Sequence, residues 1–172
     1  MFKAKNKTKE PENADKAYEY AVFLLSLRLR TEGEIREKMS GRGYVEDVIE
    51  STIKKLLEQK YLDDKRFAEV FLENLKLYKN FGFYGIQKKF MEKKLPKEII
   101  SSALAEGLTV EDEIKIAKRI LKKEGFEVKT RSDDGENSYR TFDEESGKEK
   151  QKLAQKLRAR GFRSEVISKL VF

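Results

Sequence analysis

The residues best placed to do chemistry are carboxylates and cations, because the chain has no histidine and no cysteine. Those absences remove imidazole and thiolate metal ligands, thiol nucleophiles and every histidine-based triad. Asp63 and Asp64 beside Lys65 and Arg66 form the grouping that most resembles a carboxylate centre. Their place just before "FAEVF" accounts for them as helix-capping groups, and nothing nearby completes an acid–base pair. Carboxylates could still hold magnesium, and a Ser–Lys pair could still act, but no glycine-rich nucleotide loop accompanies them. The expectation is a chain that is not an enzyme and takes no cofactor or metal.

The cations offer a different chemistry, that of holding phosphates or an acidic protein groove. There are 38 Lys and Arg against 31 Asp and Glu, a net charge of +7 and a pI near 9.3. Mixed Lys/Glu surfaces also serve solubility alone. The basic groups nevertheless cluster. Arg28 and Arg30 close the first helical stretch, and Lys88, Lys89, Lys93 and Lys94 lie in the fifth. Lys118, Arg119, Lys122 and Lys123 lie in the seventh, and Lys150, Lys152, Lys156, Arg158, Arg160 and Arg163 in the eighth and its following turn. Cations at helix C-termini complement the dipole, which explains several of them. The concentration after residue 115 exceeds that need. Aromatic side chains such as Tyr18, Tyr20, Phe23, Tyr61, Phe67 and Phe71 could be base-stacking platforms, but their helical spacing favours core packing. Phe81, Phe83 and Tyr84 flank a turn and fit either reading.

The elements that must position these groups are helical. The charged fraction is 40%, against roughly 25% in an average globular domain, and there are two prolines and no tryptophan. Residues 1–13, with lysines at 3, 5, 7 and 9, read as a flexible basic arm. No run of 18 apolar residues and no secretory apolar core occurs, so a cytoplasmic chain without a membrane partner is expected. From Ala17 the apolar spacing is helical, through Ala21, Leu24 and Leu25. Thr31 and Glu34 form a T-x-x-E capping box for a second helix, which Gly41 and Gly43 end. A third helix covers roughly 46–59, a fourth starts at the Asp63 cap, Gly82 stops it, and Pro96 opens the sixth.

These helices repeat. Ala17 and Ala68 are 51 residues apart, as are Val48–Ile49 and Ile99–Ile100. A third copy begins near Val110, with Ala117 as the counterpart of Ala68, and finishes with Leu157, Gly161, Phe162, Val166 and Ile167. Its middle is stretched by about 18 residues within 126–147, which read equally well as a small β-hairpin or a loop. The expected organisation is three-helix repeats at 14–61, 62–108 and 109–172, the last with its insertion. Stacked repeats of this kind form an elongated, curved array. The junction "GRGYVEDVIESTI" and its relative "ARGFRSEVISKLV" also resemble a helix-turn-helix, but the acidic start "EDVIES" is unsuited to DNA.

The stretch "AYEYAVFLLSLRLRTEGEIREKM" resembles the first helix pair of the RecX family. "YLDDKRFAEVFLENL", "GFYGI" and "KFMEKKLPKEIISSAL" are similar to that family's central repeat. The resemblance covers about residues 15–125 and resumes at 148–172. It implies an all-α protein of tandem three-helix repeats that modulates the RecA recombinase, usually negatively, by lying in the groove of the RecA–DNA filament. Such proteins obstruct strand exchange and ATP hydrolysis, which places the expected function in homologous recombination, DNA repair and the SOS response. A monomer is expected, with the RecA filament and single- or double-stranded DNA as partners; the alternative is a helical nucleic-acid-binding protein that acts on DNA directly without RecA. Contact residues follow from electrostatics alone: Arg28, Arg30, Lys118, Arg119, Lys122, Lys123, Lys156, Arg158, Arg160 and Arg163. Two features depart from the family pattern, the insertion and Lys94, which stands where the other junctions have Gly43 and Gly161. The second suggests a different turn in the middle repeat.

Overall fold

The computed structural model describes residues 7–123 and 147–171, and these contain nine α-helices and no strand. The helices are α1 (Ala14–Leu27), α2 (Glu32–Arg42), α3 (Glu46–Glu58), α4 (Asp64–Tyr78), α5 (Phe83–Glu92), α6 (Lys97–Gly107), α7 (Val110–Lys123), α8 (Gly147–Ala159) and α9 (Ser164–Val171). The expected all-α class holds. The insertion read at 126–147 lies, up to residue 146, outside the described residues.

Local signals set most boundaries. Asn13 caps α1 by accepting the Lys16 N–H at 3.0 Å, so the helix starts earlier than its apolar stripe. Thr31 caps α2, its hydroxyl accepting the Glu34 N–H at 3.0 Å. Glu34 does not complete the box. Its carboxylate is taken by Arg28 and Lys93. Gly41 stays inside α2, and Gly43 alone ends it, with φ at 96° and its N–H on the Met39 and Ser40 carbonyls. The expected flexible arm is tied down in its described part: the Thr8 N–H donates to the Arg42 carbonyl at 2.8 Å and the Val45 N–H to Pro11 at 3.1 Å.

The chain gathers into two compact units, one of residues up to Val70 with Phe90–Ile100, the other of Phe71–Lys89 with Ser101 onward. In the first, Ala17, Ala21 and Leu24 of α1 pack with Ile35 and Met39 of α2 and Ile49, Ile53 and Leu56 of α3. In the second, Ile116, Ala117, Ile120 and Leu121 of α7 pack with Leu153 and Leu157 of α8 and Val166, Ile167 and Leu170 of α9. Each such Leu or Ile contributes about 1.5–3 kcal/mol on burial.

Each unit also contains a seat, where the turn between two helices rests on the start of an earlier helix. In the first unit the α5–α6 turn rests on the start of α2: the Thr31 hydroxyl donates to the Lys93 carbonyl at 2.6 Å. In the second the α8–α9 turn rests on the start of α5: the Gly82 and Tyr84 N–H groups donate to the Arg160 and Gly161 carbonyls at 3.1 and 2.8 Å. Backbone touches backbone at both seats. A Cβ on Gly33 would come within 2.6 Å of the Lys94 Cβ and carbonyl oxygen, and one on Gly85 would strike the Arg160 carbonyl oxygen.

Lys94 corrects the expectation of a different middle turn. Its φ is 59°, in the same left-handed region as Gly43 and Gly161 (96° and 80°). The lysine adopts the turn at a cost of roughly 1–2 kcal/mol that glycine avoids, because the seat around it dictates the backbone.

Alanine at a helical glycine ordinarily stabilises by about 1 kcal/mol. Here the seats reverse the sign. Gly33→Ala and Gly85→Ala are each expected to destabilise by about 1–3 kcal/mol in urea unfolding, through overpacking against backbone. Stabilisation by either change would contradict the close approach.

Candidate functional site

The second unit is organised around one buried carboxylate. Glu113, in the first turn of α7, is 0% exposed. Its Oε1 accepts the Phe83 N–H, the first of α5, at 2.8 Å, and the Arg163 N–H at 3.4 Å. Its Oε2 accepts Nε–H of the Arg163 side chain. A carboxylate at two helix starts suits both, since each start leaves N–H groups without intrahelical partners and carries a positive dipole end. Arg163 balances the charge. Its guanidinium lies over the Phe83 ring at 5.2 Å, and its Nη2 has no hydrogen-bond partner among the described residues. The ring face stands in for the missing acceptor.

The first unit uses the same device with less burial. Asp64 Oδ1, at the start of α4, accepts the Glu32 N–H, the first of α2, at 2.9 Å. Burial pushes the Asp64 carboxyl above its ordinary range, against the pull of that N–H, and Glu32, Asp63 and Glu34 add to the rise. Glu34 behaves oppositely. Burial raises it, but hydrogen bonds from Arg28 and Lys93 outweigh that and hold it below the usual carboxylate range. Asp63 is the α4 cap expected from the sequence, accepting the Arg66 N–H at 2.9 Å.

The ten candidate contact residues fall into distinct groups. Arg28 is clamped on Glu34 through two 2.9 Å bonds, and Arg30 Nε donates to the Leu24 carbonyl at 2.9 Å near the end of α1. Both belong to the first unit. In the second, Arg119 donates to the Lys76 and Leu77 carbonyls and closes the C-terminus of α4. Arg160 reaches the Asn80 carbonyl at 3.4 Å, and Arg163 serves Glu113. These five arginines have intramolecular work. Lys118 and Lys156 are half-buried, whereas Lys122, Lys123 and Arg158 are exposed and make no ion pair or hydrogen bond among the described residues. Lys148 and Lys152 lie on the exposed side of α8, away from Leu153, Ala154 and Leu157, and Arg158 is exposed at the edge of that buried stripe. Reading by residue type missed Glu113 altogether. The spacing held a signal for it, since Glu113 follows Asp64 by the same 49 residues that separate Ala117 from Ala68.

Among the described residues no group of three or more carboxylates is placed to hold a metal ion, and no helix is long and apolar enough to cross a membrane.

Comparison with known proteins gives consistent likenesses. Residues 17–56 match the family model described as RecX, first three-helix domain. A "Regulatory protein RecX" of Mycobacterium sp. (strain JLS) is 34% identical over 97 residues, 56% of this chain and 53% of that protein. One from Halalkalibacterium halodurans is 29% identical over 156 residues, 91% of this chain and 53% of that protein. The chain thus spans about half the length of these curated relatives. A crystal structure titled regulatory protein RecX superposes with a TM-score of 0.73 at 26% identity, over 91% of this chain and 72% of that one. The crystal structure of RecX from Lactobacillus salivarius, at 23% identity and a TM-score of 0.71, covers 90% of this chain and 92% of its own and shares the fold.

The two carboxylates respond differently to substitution. Glu113→Ala leaves Arg163 and the Phe83 N–H without their acceptor, and is expected to cost about 3–5 kcal/mol in denaturant unfolding. Glu113→Gln keeps an acceptor and falls between this and the parent. Equal stability of all three would refute the ion-pair assignment. For Asp64 the folded-state carboxyl is raised, so its ionised form opposes folding above that raised range, and stability returns as the pH falls through it. Asp64→Asn retains the acceptor oxygen and is expected to be more stable than the parent at neutral pH, the advantage vanishing once Asp64 is protonated in both folded and unfolded parent chains. A pH-independent difference would show that burial of charge is not the cause.

Proposed function

The chain belongs to the RecX family, and from that premise we propose that it regulates the RecA recombinase, binding the RecA–DNA filament and restraining its ATP hydrolysis and strand exchange. The observation that carries this reading is that the likeness to a RecX structure extends over 91% of the chain and so through both compact units. The three-helix repeats at 14–61, 62–108 and 109–172 are proposed as its modules, acting as a monomer in the cytoplasm without cofactor. Each repeat supplies a modest contact. Contacts linked in one chain act at high effective concentration along a repeating partner, so that weak ones suffice.

The filament contacts are assigned to cations that the fold leaves available. Lys122 and Lys123 end α7 and Arg158 lies in the last turn of α8, all exposed. Arg28, Arg30, Arg119, Arg160 and Arg163 stay in the proposed set as cations bonded within their own units. Lys118 and Lys156 complete the set. Charge reversal at Arg119 or Arg163 would disturb folding, so the exposed group is the informative one.

DNA-dependent ATP hydrolysis by the cognate RecA is expected to fall when the chain is present at stoichiometric concentration. Lys122→Glu, Lys123→Glu and Arg158→Glu combined should raise the concentration for half-maximal effect severalfold while unfolding as the parent does. An unchanged hydrolysis rate with the parent chain would overturn the proposal; an unchanged effect of the triple variant would move the contact surface elsewhere.

A further inference from the structure

Helix α1 carries more apolar surface than the core of the first unit uses. Ala17, Ala21 and Leu24 are buried in that core, and Tyr18, Tyr20, Val22 and Leu25 pack partly against it. Phe23 and Leu27 belong to neither set. They are 56% and 61% exposed, and Leu29, in the connection to α2, is 53% exposed. Phe23 and Leu27 are four positions apart and so adjoin on one flank of the helix, with Tyr20 one turn before Phe23. Single exposed apolar residues are ordinary. Three large ones within seven positions form a patch, and a helix that is apolar on most of its sides is one that something covers.

The charges along α1 indicate the occupant. Residues 10–19 carry four carboxylates and one lysine, whereas residues 20–31 carry Arg28 and Arg30 and no carboxylate. Acid at the start and base at the end complement the helix dipole, and Glu10 is answered by Lys16 and Arg28 by Glu34. Asp15 and Glu19, however, are exposed and make no ion pair or hydrogen bond among the described residues. Arg30 is bonded to the Leu24 carbonyl and joins no ion pair among them. A helix that is acidic at one end, basic at the other and apolar along the flank between is complementary to itself run in the opposite direction. Glu19 lies four residues before Phe23 and Arg28 five after it. Two α1 helices crossing antiparallel at Phe23 therefore bring each Glu19 towards the arginines of the other copy, with Leu27 against Tyr20. A parallel pair would set like charge on like and align the two dipoles.

We propose that this flank of α1 is a self-association surface, on which the same flank of a second copy is seated antiparallel. The contact is isologous, so it closes at two copies. It is also small. Standard interfaces bury about 800 Å² on each partner, and three half-exposed side chains supply only part of that. The pair is reversible, with a dissociation constant on the order of 10 μM, and dilution releases the single chain proposed above as the acting form.

The test is sedimentation velocity of the full chain from about 1 to 200 μM, with neither recombinase nor nucleic acid present. The sedimentation coefficient is expected to climb from that of a monomer to that of a dimer. Leu27→Asp places a charge in the patch without touching the core, and is expected to raise the dissociation constant about tenfold or more. Glu19→Arg should raise it about threefold or more, because only an antiparallel pair brings residue 19 to the arginines of the other copy. Urea unfolding verifies that both variants fold as the parent does. A chain that stays monomeric at the highest concentration overturns the proposal, and so does pairing that Leu27→Asp leaves intact. Pairing that Glu19→Arg leaves unchanged or strengthens overturns the antiparallel arrangement. With the recombinase absent, none of these results bears on the regulatory reading.

Discussion

The exposed start of a helix is the constraint on which both units turn. The first N–H groups of α2 and α5 have no partner within their own helices, and each start is also covered by a turn that arrives from later in the chain. Covering such a start without satisfying it would cost more than the packing returns. Asp64 and Glu113 resolve this from the first turns of α4 and α7, by accepting the N–H of Glu32 and of Phe83. The glycines then allow the arriving turn to lie directly on the helix backbone. Helix periodicity makes the elements, but these seats set which elements meet.

The seats also explain the distribution of charge in a chain so rich in it. Several arginines that look like ligands for a partner are engaged with carbonyls and carboxylates of the chain itself. Arg119 closes α4, Arg30 closes α1, and Arg163 balances a charge that would otherwise be buried alone. Lys122, Lys123 and Arg158 are exposed and have no such bond among the described residues, which is why the proposed binding rests on them.

The helices were legible in the sequence because their signals are local: a cap such as Thr31, a glycine such as Gly43, and apolar residues every three or four positions. The all-α class followed. What was not legible depends on residues distant in the chain. Lys94 departs from glycine, yet it keeps the left-handed turn because Gly33 and Thr31, some 60 positions earlier, shape its surroundings. Gly41 stays helical because Gly43 is better placed to stop the helix. Asp64 read correctly as a helix-start residue, but the helix it serves most directly is α2. Electrostatics by residue type could not separate Arg158 from Arg163, which differ in whether a carboxylate lies behind them.

The seats bear on where this chain can be divided. A fragment cut after residue 61, between α3 and α4, would retain α1, α2 and α3 but lose both Asp64 and the turn around Lys93. Its α2 would begin in water, with Thr31 the one remaining cap. Among the described residues, then, the starts of α2 and α5 are each finished by a carboxylate from a helix later in the chain, α4 and α7. Any recombined or shortened version must carry those carboxylates.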